Sequence, residues 1–299
     1  MKQEQINLIG ISIVHILPIL FYKTNLLFLS SPGLILFQLF WVTIVELSIT
    51  CGYHRLFNHK SYQAKPIVYY FFLIFGATAI QNSALNWSQS HRLHHRDQDK
   101  ESDPYNINKG FWHAHVLWLF RENKAVEDQK KTIDISDLKN NKYVALQDKY
   151  LLYFTIFGFF IQLGLGSLLG FSLQLLFIST IIRVIVTWNI TWSVNSLAHF
   201  YGDKPFNNKI TPVQNLLVSI LTFGEGWHNY HHSYPRDYRA SHSDNNIKYW
   251  NPSTAFINLL TKLNLVTKRQ IASEYNKDKK ISKKKEINKI NYDIIEDDN

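Results

Sequence analysis

Cysteine is almost absent: Cys51 stands alone in 299 residues, which excludes an internal disulfide framework and any zinc site built from four cysteines. No small-residue cleavage site follows MKQEQ, so no cleavable leader is expected. A dinucleotide fingerprint, a CxxCH haem attachment and a haem-ligand HPGG segment are missing too, so redox chemistry on this chain needs electrons from outside it. The formal net charge is +9, yet the basic residues flank hydrophobic segments and form no nucleic-acid recognition module; nucleic acid is not an expected partner.

What is abundant is apolar: 46% of residues are hydrophobic and 15% aromatic. Four runs, at about 6–22, 34–51, 150–169 and 171–190, approach the length needed to cross a hydrocarbon core of about 30 Å as helices. Short Pro-Gly or Gly-rich stretches join them pairwise, which predicts two transmembrane hairpins. A fifth run, PIVYYFFLIFGATAI at 66–80, is shorter and lies between two groups of histidines. A crossing there would put those groups on opposite faces, so an interfacial or re-entrant segment is predicted. Arg55, Lys60, Lys65, Arg92, Arg96, Lys100, Lys109 and Arg121 lie on the histidine-bearing side, whereas the first opposite loop holds only Lys23. The positive-inside rule makes the histidine side, with both termini, cytoplasmic. The Lys-rich segment ending in acid at 271–299 reads as a charged, disordered tail, with contact to anionic lipid or to an acidic electron donor as the alternative.

Nine of the thirteen histidines fall in HRLFNH (His54, His59), HRLHH (His91, His94, His95), NSLAH (His199) and HNYHH (His228, His231, His232). The HxxHH spacing places three imidazoles on one face of a helix within about one turn. The spacing of five in HRLFNH does not, and predicts that the second span ends between His54 and His59. Asn195 lies one turn before His199. Nine imidazoles overfill a single zinc site and suit two metal ions. Imidazole serves zinc, copper, iron or nickel; iron gives a reason to embed the site beside apolar helices, namely oxygen activation against an unactivated hydrocarbon. Isolated His15, His113 and His242 read as structural.

These boxes, together with DPYN at 103–106, GFWHAHVLW at 110–118, TWSVNSLAHFYGDKPF and GEGWHNYHH, resemble the membrane-bound fatty-acyl desaturases of the delta-nine, stearoyl-CoA desaturase-like group, over about residues 5 to 270. The resemblance implies an all-α membrane protein with four transmembrane helices in two hairpins beneath a cytosolic helical cap drawn from 54–149 and 193–262. It implies two iron ions held by His54, His59, His91, His94, His95, His199, His228, His231 and His232, with Asn195 acting through water. It further implies a bent tunnel shaped by Gln81, Trp87, Thr191 and Trp192, with Asn7, Asn82 and Arg121 near the head group. The partners implied are a fatty-acyl substrate on CoA, lipid or acyl carrier protein, dioxygen, the membrane, and a separate electron donor such as cytochrome b5 or ferredoxin. The reaction implied is insertion of a cis double bond.

Two departures qualify this picture. Acyl-CoA members carry Arg-Asp before the second box and a Lys after the retained Arg121; here those places read Gln89, Ser90 and Glu122, which weakens the case for CoA. Glu46, inside the second span, is costly there unless paired or protonated. A pair with Arg183 is the first reading, a polar tunnel end and a protonated acid the others. Beside the desaturase, the boxes are compatible with a di-iron lipid or alkyl hydroxylase, and more distantly with a non-catalytic membrane metal-binding protein, which would want more polar residues through its spans.

Overall fold

The computed structural model describes residues 2–242, 249–272 and 292–295. It is mostly helical, with four helical runs long and apolar enough to cross a membrane: Gln3–Leu20, Pro32–Asn58, Leu151–Leu168 and Leu173–His199. All four coincide with the runs expected from sequence, but the second and fourth extend well past a bilayer's thickness. Several starts are written in the chain. Pro32, Pro66 and Pro252 each open a helix, where the missing N–H is no loss, and Ser83, Asn141 and Ser172 cap others with their side-chain oxygens.

Helix α1 (Gln3–Leu20) is followed by a short α2 (Tyr22–Leu29), and α3 (Pro32–Leu47) then runs directly into an eleven-residue π-helix, Ser48–Asn58. The second helical run ends at Asn58, between His54 and His59 as expected, but the premise that a spacing of five cannot share one helix face is overturned. The π-helix bonds residue i to i+5, as in the His59 N–H donating to the His54 carbonyl, so a spacing of five puts both imidazoles on one face. Helix α4 (Pro66–Ala77) has 12 residues, or about 18 Å at 1.5 Å per residue, too short to cross. It packs against the π-helix and against the helix Leu151–Leu168. Gly52 allows that approach: a Cβ there would fall 2.5 Å from Cβ of Phe72.

The helix Leu173–Ser196 packs against α1 and α3 and carries the chain toward His199 through one 3-10 turn. Inside the apolar layer a chain of amides links the spans: Gln38 donates to Ser179 at 2.7 Å, Gln162 to Gln38 at 2.9 Å, and Arg183 to Gln162 at 3.3 Å. Such contacts satisfy polar groups that water does not reach. The all-α expectation needs one amendment. Two small antiparallel pairs are present, Gln63–Ala64 with Val266–Thr267 and Arg269–Ala272 with Tyr292–Ile295. The second pair places 292–295 of the expected disordered tail in a strand; residues 273–291 and 296–299 of that tail lie outside the described residues.

Candidate metal centre

The histidine boxes converge because three elements cross at one point. These are the π-helix, α5 (Ala84–Asp97) and the short helix His228–Ser233. Their arginines lock the crossing. Arg55 donates to Oε1 of Glu225 at 2.8 Å, tying the first box to the third, and also reaches the Tyr238 carbonyl. Arg92 forks onto Asp137 at 2.7 and 2.9 Å and also donates to the carbonyls of Phe57 and Asn58, which end the π-helix. The third box follows Gly226, where a Cβ would lie 2.3 Å from the Asn215 carbonyl oxygen, so only glycine allows this approach.

The nine imidazoles form two groups, His54, His59, His91, His95 and His231 in one, and His94, His199, His228 and His232 in the other. Within each group the candidate ligand atoms lie within 4.8 Å of one another. Each HxxHH box is shared between them. Its i, i+4 pair goes to one group and its middle histidine to the other: His91 and His95 stand with His231, and His228 and His232 with His94. Ring nitrogens face each other closely, with Nε2 to Nε2 separations of 3.0 Å for His54 and His231 and 3.1 Å for His199 and His228. Nε2 of His59 and of His94 are buried without a hydrogen-bond partner among the described residues.

This donor set fits metal. A ligating imidazole must be neutral, and here burial, reinforced by neighbouring imidazoles, holds His59, His91, His95, His231 and His232 well below the ordinary histidine range and His228 at about 3. Carboxylates back the rings from outside. Nδ1 of His94 lies 2.8 Å from Oδ1 of Asp103. Nδ1 of His54 lies 2.8 Å from Oε2 of Glu225, off the line of a hydrogen bond but close enough for charge to act. Burial raises the Glu225 carboxyl, but Arg55 and His54 outweigh it and hold it at about 2. Carboxylates behind imidazoles orient ligands and raise their basicity. Reading the boxes alone passed over Asp103 and Glu225, although DPYN and GEGWH each carry an acid beside a box.

A cavity of about 790 Å³ runs from the protein surface past this centre. Asn7, Gln81, Asn82, Trp87, Arg121, Thr191, Trp192 and Asn195 all line it. Gln81 bridges Thr191 at 2.9 Å and the Trp87 indole N–H at 3.3 Å, and Asn7 donates to the Leu119 carbonyl. The turn presenting Gln81 and Asn82 has left-handed backbone at Ile80 (φ 53°) and Asn82 (φ 77°), a strained conformation for a β-branched residue. The helix Leu173–Ser196 anchors it, since Arg183 donates to the Thr78 carbonyl at 2.9 Å and Trp188 to that of Ala79 at 2.7 Å.

That anchoring corrects the expected Glu46 to Arg183 pair. The Arg183 guanidinium is spent on Thr78 and Gln162 and lies over the Phe159 ring. Among the described residues Glu46 makes no ion pair, and its carboxyl faces the cavity. Of the histidines read as structural, His15 bonds the Ile11 carbonyl, as expected of a structural residue. His113 is buried, lines the cavity and has its ring against the Pro104 backbone.

A helical membrane-type scaffold holding a buried polyhistidine centre beside a long cavity defines a class, the membrane oxidoreductases acting on lipid chains. The family comparison is specific within that class: residues 30–251 match the fatty acid desaturase family, and the chain belongs to it. It is 39% identical over 244 residues to an acyl-CoA Delta(11) desaturase of Spodoptera littoralis, covering 80% of this chain and 72% of that one. With the stearoyl-CoA desaturase 5 of Homo sapiens it shares 35% over 272 residues, 90% of this chain and 81% of that one. An acyl-CoA desaturase of Ovis aries is 39% identical over 243 residues, 80% and 67% of the two chains. The chain is thus an oxidoreductase, a fatty-acyl desaturase, and its four apolar helices and family fit a multi-pass membrane protein.

Proposed function

We propose that this chain inserts a cis double bond at the delta-nine position of a saturated fatty-acyl chain lying in the cavity, at a centre of two iron ions. The convergence of nine imidazoles into two adjacent groups carries the reading. His54, His59, His91, His95 and His231 hold one ion and His94, His199, His228 and His232 the other, with Asn195 acting through water. When bound, the ions supply activation of dioxygen, and the reaction balances as a saturated chain, dioxygen, two electrons and two protons giving an alkene and two waters. The protein's own residues supply position. Two methylenes among many alike are distinguished only by where the walls hold them, and Gln81, Trp87 and Thr191, bonded to one another beside His91, set the bend. Asn7, Asn82 and Arg121 attend the head group.

The same reading makes residues 1–270 one catalytic domain, with two transmembrane hairpins under a cytoplasmic cap and both chain ends on the cap's side. Cysteines at positions 60 and 100 then label from one side of the membrane and a cysteine at position 23 from the other. Electrons arrive from a separate carrier such as cytochrome b5 or ferredoxin.

The cavity mouth bears on the acyl donor. Its lining balances Glu4, Glu101, Glu122 and Glu127 against Lys109, Arg121, Lys124 and Lys130, and Glu122 pairs with Lys2 and Glu101 with Lys109. Gln89 is occupied with the Lys130 carbonyl. A balanced mouth offers the polyphosphate of CoA little attraction, which favours an acyl-lipid or acyl-carrier donor although the named relatives are acyl-CoA enzymes. Gas chromatography with double-bond localisation, on lipids of expressing cells and on membranes fed acyl-CoA or acyl-phospholipid, tests both statements. A delta-nine alkene made faster from phospholipid is expected. A hydroxylated product contradicts the reaction, and efficient acyl-CoA turnover contradicts the donor.

A further inference from the structure

Of the two buried acids that line the long cavity, Glu46 and Glu225, Glu46 is the one that the desaturation chemistry leaves unused. It sits on α3 two helical turns before His54, roughly 10 Å along the helix axis. Gln3, Arg121 and Glu122 of the cavity lining are exposed and mark its mouth, whereas Glu46, Ile49, Thr50 and Thr222 are buried lining residues, and we take them as its inner end. Glu46 is 1% exposed, and its Oε1 meets no hydrogen-bond partner among the described residues. Most polar groups around it are engaged elsewhere, although Nε of Arg183 meets no hydrogen-bond partner among the described residues and the Arg183 charge acts on Glu46 without an ion-pair contact. Thr50 bonds Ser253 at 2.7 Å, Thr222 bonds the Val218 carbonyl, Glu225 is held by Arg55, and Arg183 by Thr78.

A chain that enters head group outward therefore presents its far end to a buried carboxyl with hydrogen-bonding capacity to spare. A methyl group there leaves that capacity empty and excludes the water that would fill it. A hydroxyl both donates and accepts, so it matches the carboxyl in either protonation state.

Resting on the reading that an acyl chain occupies this cavity, we propose that Glu46 is a specificity-determining residue that binds a hydroxyl at the distal end of the chain, making ω-hydroxyacyl chains a substrate class of this enzyme. The hydrogen bond forms without any change in the protein's own bonding, since no internal partner has to be displaced. Its net value in a buried site corresponds to about tenfold in kcat/KM for the chain whose length brings the hydroxyl to Glu46. Shorter hydroxylated chains, which stop in the apolar stretch by Trp188 and Ile49, carry their hydroxyl into a site without a partner and are disfavoured.

The test uses the full-length enzyme in membranes with its electron donor. Two series of acyl chains are compared, identical in head group and matched in length, one ending in methyl and one in hydroxyl. The expected result is a preference of about tenfold for the hydroxylated member at one length, lost in Glu46→Leu and partly kept in Glu46→Gln. The apparent Tm in detergent, measured with each chain and without turnover, should follow the same order, so that a poorly active variant still reports binding. Equal or better use of the methyl-ended chain at every length, or a hydroxyl preference unchanged by Glu46→Leu, overturns the proposal while leaving desaturation in place. Failure to convert either series would instead remove the underlying reading of the cavity.

Discussion

The four long apolar helical runs divide into two kinds. Gln3–Leu20 and Leu151–Leu168 have 18 residues each and bury 0% and 17% of their apolar windows; Pro32–Asn58 and Leu173–His199 have 27 each and bury 56% and 44%. A span of about 20 residues suffices for a bilayer, so the surplus on the second kind is not needed for crossing. That surplus carries one histidine of each group: His54 sits in one extension and His199 at the end of the other. The first kind faces outward, and α1 has no buried residue, yet it still gives the cavity the partly buried Ile11 and Val14. Length beyond the bilayer, together with burial, thus separates the helices that build the centre from those that enclose it.

Breaking the ligand-bearing side should have the largest effect. His94→Ala or His231→Ala, one from each group, should abolish turnover while leaving membrane insertion intact, as read by lipid analysis and membrane fractionation. Turnover surviving either change would remove that histidine from the centre.

Next comes the lock between boxes. Glu225→Ala leaves the buried Arg55 guanidinium without its carboxylate and should destabilise by about 3–5 kcal/mol, visible as a lower Tm in detergent. It should also lower metal affinity by roughly 10–100-fold through the loss of the group behind His54. A variant with unchanged Tm would show that the Arg55 contact carries little.

The pH response is smaller per group. Because His59, His91, His95, His231 and His232 are held neutral well below the ordinary histidine value in the folded chain, the unfolded chain binds more protons below about pH 6.5. The stability of metal-free protein is therefore complete above that pH and is lost as pH falls, by up to about 1.4 kcal/mol per unit for each such histidine. A Tm that rises on acidification would contradict the burial of these rings. At the small end, Ile13→Val on the outward-facing α1 should change stability by no more than about 0.5 kcal/mol, measured in the same Tm assay.

Much of this contrast was legible in the chain. Apolar runs located the four spans, and the spacing of the boxes picked out the nine histidines that gather into two groups. The extensions toward the histidines were legible, but the π-helical form of the first was not, because a π-helix has no composition of its own; only the spacing of five between His54 and His59 hinted at it. Glu46 and Arg183 looked like partners because opposite charges in neighbouring spans invite pairing. Which carbonyls a guanidinium reaches depends on the strained turn at 78–82, a tertiary feature. Asp103 and Glu225 stood beside the boxes in plain sequence, but an acid near a histidine becomes a support only once the fold aims it at Nδ1.

Nine imidazoles in two groups could hold two metal ions. Metal analysis of purified protein, paired with activity, tests this most directly. The prediction is about two iron ions per chain, with activity lost on iron removal and restored by iron alone. One zinc ion per chain, with full activity in the absence of iron, would contradict it.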